Sequence, residues 1–202
     1  MANTAPGSYN GFQQYSGNGS APTYEQVAVT IGYNTTNIFF GDPVIPVNDG
    51  TVAQASTITS ASGNTQIAGV FVGCKYLSAA FKRVIWSNYY PGGTDPQSGT
   101  IEGYIINDPN AKFIAWSGST GLTAADVNNN VGFNIGSGNT ANGISGAYIN
   151  TQTVAAGTDS SLPFRVVALV TSPPGVNGTQ SGAYAQAIVA FNNVSTKQLT
   201  GV

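Results

Sequence analysis

Eight carboxylates supply nearly all the acid–base chemistry this chain can offer: Glu25, Asp42, Asp49, Asp95, Glu102, Asp108, Asp126 and Asp159. Histidine is absent, so a Ser–His or Cys–His nucleophile is impossible and the commonest zinc ligand is missing. The single cysteine, Cys74, has no companions for a zinc site or an intrachain disulfide. Its setting in IAGVFVGCKY reads as a small apolar residue in a strand. No Gly-x-x-x-x-Gly-Lys phosphate loop occurs. A glycosidase needs only two carboxyl groups flanking a bond. Yet Asp42, Asp49, Asp95, Asp108 and Asp159 stand beside Gly, Pro or Ser, in turn-like contexts where Asp bonds its own backbone. No EF-hand-like or Gly-Gly-x-Gly-x-Asp array marks a calcium site. The expectation is a protein without catalysis, without a cofactor and without a metal.

Aromatic side chains are the other resource. Phe81, Trp86, Tyr89, Tyr90, Tyr104, Phe113 and Trp116 crowd the central third of the chain, and KRVIWSNYYPGG, residues 82–93, is their densest stretch. Read as one strand, it alternates Arg83, Ile85, Ser87 and Tyr89 on one face with Val84, Trp86, Asn88 and Tyr90 on the other. Trp, Tyr and Arg are the residues that most often anchor protein interfaces. Phe81, Arg83, Trp86, Tyr89, Tyr90 and Trp116 are therefore candidate interface residues. The same rings would also serve as carbohydrate-stacking platforms, or simply as core. Lys82-Arg83 is the only adjacent pair of cations in a chain that is 7% charged with a net charge of −2. No basic tract can neutralise a run of phosphates, and nucleic-acid binding is disfavoured.

The elements that must position these residues read as all-β. Residues 1–24 are small and polar, punctuated by Tyr9, Phe12, Tyr15 and Tyr24. They show no period and are expected to form an extended N-terminal arm, flexible or docking its Tyr9, Phe12 and Tyr15 on a neighbouring subunit. Residues 25–202 form one β-domain, with strands expected at QVAVTIGY, NIFFG, PVIPV, TVAQAS, IAGVFVGCKY, KRVIWSNYY, GTIEGYIIN, KFIAWSG, SGAYINTQTV, PFRVVALV and AYAQAIVAFNN. Asn48-Asp49-Gly50 predicts a tight hairpin, and Asp108-Pro109-Asn110 a second turn. Pro43 and Pro46 predict an edge or partly unpaired strand. Thr123 is a plausible N-cap for one or two helical turns. Loops are expected at 136–146 and 171–182. The fold class is a single β-barrel or a jelly-roll-like sandwich with long loops. No stretch has the form of a signal peptide, and runs such as VVALV are too short to span a bilayer. Cytoplasmic synthesis and no membrane partner are expected.

The stretches GDPVIPVNDGTVAQA, IAGVFVGCKYLSAAFKRVIWSNYYPGG and GTIEGYIINDPNAKFIAWSG together resemble the capsid decoration, or cement, proteins of tailed bacteriophages. The pattern is a GDPV strand with a following DGT turn, an I-x-G-V-F-x-G strand, and an aromatic strand ending in NYYPGG. The closing FNNVSTKQLTGV fits more weakly, and the resemblance is carried mainly by residues 25–120. It implies a virion structural protein: a β-rich homotrimer on the outer capsid surface, bridging subunits of the major capsid protein and bracing the shell. The alternative is a carbohydrate- or receptor-binding module, on a head fibre or tail. It would use Trp86, Tyr89, Tyr90 or Trp116 with the loops at 136–146 and 171–182.

Overall fold

The computed structural model describes residues 3–16, 24–33, 36–58, 66–150, 160–170 and 181–196. Their strands are β1 (Gln13–Ser16), β2 (Val27–Thr30), β3 (Ile38–Phe39), β4 (Pro43–Pro46), β5 (Val52–Gln54), β6 (Gly69–Leu77), β7 (Val84–Ser87) and β8 (Tyr89–Tyr90). They continue as β9 (Glu102–Ile106), β10 (Lys112–Trp116), β11 (Asn130–Asn134), β12 (Tyr148–Asn150), β13 (Phe164–Leu169) and β14 (Gln186–Phe191). One sheet runs β2-β9-β6-β4-β5, with β7 beside β6; a second runs β1-β10-β14-β13-β11-β12; β3 and β8 form a small third pair. The expected all-β class holds, and of its two forms the structure is a sandwich of antiparallel sheets. Neither large sheet closes as a barrel. Single parallel bridges, Ile31 to Val52 and Ser117 to Ile149, draw the sheet ends together where a barrel needs a ladder.

Local turn chemistry explains several connections. Gly50, at φ 82°, takes the left-handed corner of the β4–β5 hairpin, and the Asp49 carboxylate accepts from the Thr51 N–H at 2.9 Å and hydroxyl at 2.7 Å. Asp108 accepts from the Asn110 N–H at 2.9 Å in the turn that carries the chain from β9 in one sheet to β10 in the other. The 3-10 turn Ala124–Asp126 opens with a capping box, in which Thr123 donates through its N–H at 2.7 Å and its hydroxyl at 2.9 Å to Asp126. β4 is not an edge strand: it lies between β5 and β6. Its prolines are tolerated because the pairing with β6 is confined to Pro43–Val70 and Val44–Gly69.

Two buried clusters lie on opposite faces of the first sheet, since Val70 and Ile106 belong to the larger and their chain neighbours Phe71 and Ile105 to the smaller. Phe164 centres the larger one, stacked on Phe12 at 4.3 Å and Phe191 at 5.7 Å, with Phe113 and Phe133 edge-on at 6.4 and 6.0 Å. The smaller packs Ile38, Val44, Phe71, Cys74, Tyr76, Tyr90 and Ile105. Asp42 ties distant segments together. Its buried carboxylate accepts from the Phe39 N–H at 2.8 Å, from Gln54 Nε2 at 2.7 Å and from the Ser145 hydroxyl. Burial raises this carboxyl above its usual range, against the lowering effect of those three hydrogen bonds.

Two expectations need correction. The described part of the N-terminal segment is no free-standing arm, because β1 pairs with β10 and Phe12, 1% exposed, fills the larger core. Burying a Phe side chain stabilises by about 1.5–3 kcal/mol, which holds the segment on its own chain. Residues 17–23 lie outside the described set. Nor is KRVIWSNYY one strand: it breaks at Asn88 into β7 and β8, which belong to different sheets. The cause is tertiary. Gly143 packs so closely on Asn88 that a Cβ there would lie 2.7 Å from the Asn88 Cβ, and the Ser87 hydroxyl accepts from the Tyr89 N–H at 3.2 Å across the break. Most of SGAYINTQTV beyond β12, and the 171–180 loop, lie outside the described residues.

Candidate functional site

Strands β6 and β7 form a hairpin whose turn, residues 78–83, is held by two polar side chains. The Ser78 N–H donates to Arg83 O at 3.0 Å, and the Lys82 N–H to Ser78 O at 3.0 Å. The Ser78 hydroxyl accepts from the Phe81 N–H at 3.0 Å and donates to Asp95 Oδ1 at 2.9 Å. That same oxygen accepts from the Ala80 N–H at 3.0 Å. Burial works to raise the Asp95 carboxyl, but hydrogen bonds from the Ala80 and Ala79 backbone, Ser78 and Tyr76 together bring it below its usual value. A turn this well bonded fixes Phe81 in solvent by structure, with 65% of its surface exposed.

Beside the turn, one face of the sheet carries a compact aromatic group assembled from three strands. Cross-strand register sets Lys75 opposite both Trp86 and Glu102, and Leu77 opposite Val84. The Trp86 and Tyr104 rings stack at 5.1 Å and 21°, with Lys75 Nζ 5.8 Å from each ring centroid. Lys75 pairs with Glu102 at 2.9 Å, and the Tyr104 hydroxyl donates to Glu102 at 2.5 Å. Glu102 is lowered by the hydrogen bond from Tyr104 and then by that from Lys75, while Lys75 is raised chiefly by Glu102. The polar part of the group is therefore a neutral pair, and Trp86 stands above it 68% exposed with Val84 61% exposed. Phe81, Val84 and Trp86 are the most exposed large hydrophobic residues described, and they fall within six positions of the chain. Three exposed apolar side chains this close together on one hairpin make it the candidate docking surface.

A groove of about 310 Å³ adjoins this face, lined by Trp86, Ser87, Asn88 and Tyr89 on one side and Thr140, Ala141, Asn142 and Gly143 on the other. Its far wall is a bonded turn. Asn139 Oδ1 accepts from the Ala141 N–H at 2.8 Å, Asn142 Oδ1 accepts from the Ile144 N–H at 3.0 Å, and Gly143 O accepts from the Phe40 N–H at 2.9 Å.

The sequence-derived candidates separate into three groups. Phe81, Arg83 and Trp86 come together on the hairpin. Tyr9, half-buried and stacked on Tyr148 at 4.2 Å, lies with Trp116 along a small cleft on the other large sheet, where Tyr15 is 50% exposed on β1. Phe12 and Tyr90 are interior residues, so neither is free to meet another subunit. Phe12 sits among the core phenylalanines, and Tyr90 is fully buried with its hydroxyl 3.4 Å from Gly32 O. Tyr89 is half-buried, stacked on Phe39 at 5.4 Å, and reaches the groove. The broken strand accounts for the split: one alternating strand would have put Trp86 and Tyr90 on the same face. Lys75, Val84 and Glu102 were not among the candidates, because only the three-strand register gives them a role.

A wider groove of about 760 Å³ between the end of β2 and the β4–β5 turn carries Asp49 and Glu102, but each is already bonded within the fold. Hydrogen bonds from Thr51 hold Asp49 below its usual value. Both carboxyls are lowered, the opposite of the raised carboxyl that a glycosidic general acid needs. Burial pushes the Cys74 thiol up to about 12, far from the range of a reactive thiolate. Among the described residues, no group of three or more Cys, Asp or Glu side chains gathers to hold a metal. Asp159 lies outside the described residues. Set beside known proteins, the chain matches no protein family, no curated protein and no solved structure.

Proposed function

We propose that this chain is a non-catalytic virion protein that binds the outer surface of an assembled phage capsid and stabilises the shell. The observation that carries the reading is the hairpin: three large hydrophobic side chains held out on a hydrogen-bonded scaffold. The surrounding chain is polar and nearly uncharged, with 7% charged residues. The resemblance of residues 25–120 to capsid decoration proteins supplies the partner, and the hairpin supplies a surface to meet it. Stabilisation follows from mass action. A homotrimer whose copies each contact capsid subunits binds the assembled lattice better than free subunits and shifts the equilibrium toward the intact shell. No single contact has to be strong. The test adds purified protein to capsids lacking it and follows binding by co-sedimentation and shell rupture by heating. Hundreds of copies per particle and a higher rupture temperature are expected. Shells no more resistant with the protein than without it would end the proposal.

A second reading is favoured by the groove beside Trp86, where an exposed indole and Tyr89 meet neutral hydrogen-bonding side chains, Asn88, Thr140 and Asn142. Such a set suits an uncharged saccharide, whose apolar face stacks on a ring while its hydroxyls bond to amides. Glycan-array binding that disappears in Trp86→Ala with the fold retained would favour this reading.

A further inference from the structure

The backbone of β7 carries more information than its side chains. In an antiparallel ladder, hydrogen-bonded and non-hydrogen-bonded residue pairs alternate. The Ser78 N–H bonds Arg83 O at 3.0 Å, so Ser78–Arg83 is of the bonded type. Stepping along the register, Leu77–Val84 and Lys75–Trp86 are then of the non-bonded type, while Tyr76–Ile85 and Cys74–Ser87 are bonded. The N–H and C=O groups of Val84 and Trp86 therefore face away from β6. Among the described residues no strand pairs along that side, since β7 pairs with β6 alone. The side chains of these same two residues are the exposed ones. An edge strand with apolar side chains and unfilled backbone groups is a template for another strand, and the groove along Trp86 and Ser87 leaves space beside it.

Charge narrows the occupant. Lys75 is neutralised by Glu102, whereas Lys82 and Arg83 are exposed at the start of β7 and make no ion pair among the described residues. We propose that β7 docks by strand addition: an extended segment of the capsid subunit, carrying a carboxylate where it passes Lys82 and Arg83, pairs through its backbone with Val84 and Trp86. This rests on the capsid-docking reading above. Backbone pairing supplies affinity, and alternate side chains of the added strand pack on Val84 and Trp86 to supply specificity.

The test is residue-resolved amide hydrogen exchange on the whole chain, free and bound to purified capsid shells lacking it. In the free protein the Ile85 and Ser87 amides should be protected and those of Val84 and Trp86 open. On binding, the latter two should slow by about tenfold or more, as new hydrogen bonds form. Val84→Pro deletes an outward N–H without removing a β6–β7 bond, and should weaken capsid binding by about tenfold, one hydrogen bond's worth. Val84→Thr keeps the N–H and should bind nearly as the parent does. Should Val84→Pro fail to fold, the exchange experiment on the unaltered chain decides alone. If the Val84 and Trp86 amides stay open on the shell while Phe81→Ala and Trp86→Ala abolish binding, docking stands and strand addition is wrong. If none of these variants changes binding, both proposals fail. Protection of both amides in a free-solution dimer would make a second copy the occupant and overturn the proposal.

Discussion

Trp86→Ala tests whether Trp86 serves binding or folding. In the folded chain the indole gains its stack on Tyr104 at 5.1 Å and the Lys75 ammonium at 5.8 Å. An aromatic pair contributes about 0.5–1.5 kcal/mol, and an exposed cation–π contact about 0.5–1 kcal/mol. Because 68% of the residue remains in water, little transfer free energy is added, and the cost of truncation is bounded at about 2.5 kcal/mol. For a chain of 202 residues each kcal/mol moves Tm by about 2–4 °C, so Tm should fall by no more than about 10 °C and the transition should stay cooperative. A Trp at the centre of a desolvated contact costs about 2–4 kcal/mol when truncated, which corresponds to a loss of roughly 30- to 1,000-fold in affinity. Differential scanning calorimetry and capsid co-sedimentation read the two numbers on the same preparation. Capsid affinity within threefold of the parent, or a Tm loss far beyond the bound, would refute the reasoning: the first makes Trp86 a bystander, the second a core residue.

Phe164→Ala tests the core: the ring is fully buried against four other phenylalanines, and urea denaturation should show a loss of about 3–5 kcal/mol. Asp95→Ala removes the acceptor shared by Ser78 and Ala80. It should cost about 1–2 kcal/mol and weaken capsid binding further through a loosened turn, with faster amide exchange at Phe81 as the check. Acid should destabilise the fold. Asp49, Asp95 and Glu102 are lowered in the folded state, so their stabilisation is present above the unfolded-state values and is lost as pH falls through the folded ones, below about pH 4. Asp42 is raised by burial; its contribution is present in acid and lost as pH rises through the raised value. Melting curves against pH should therefore flatten at the acid end in Glu102→Gln and steepen in Asp42→Asn.

What the sequence made legible is what local chemistry decides. Asp49-Gly50 specifies its hairpin from two adjacent residues, and Thr123 with Asp126 specifies a capped turn from four; both stand where the spacing puts them. β-branched and aromatic runs likewise announce an all-β chain. Phe12 was illegible because its neighbours are those of a polar tail. Its hole is built by Phe113, Phe133 and Phe164 from strands more than a hundred residues away. The break at Asn88 is another such case, imposed by Gly143 from a distant turn. The stack of Trp86 on Tyr104, with Lys75 beside both rings, needs β6, β7 and β9 in one register, and a bulge between Phe71 and Gly73 shifts that register out of reach of simple alternation.

Whether the hairpin meets a capsid subunit, as proposed, is the central question, and site-specific photocrosslinking from its tip answers it most directly. A photoreactive benzophenone side chain in place of Phe81, 65% exposed and clear of the core, leaves the Ser78–Asp95 scaffold intact. On irradiation with capsid shells the account predicts one dominant adduct, to the major capsid subunit, which disappears when excess unmodified protein competes. Adducts to other copies of this chain alone, or none in particles that carry the protein at full occupancy, would contradict it.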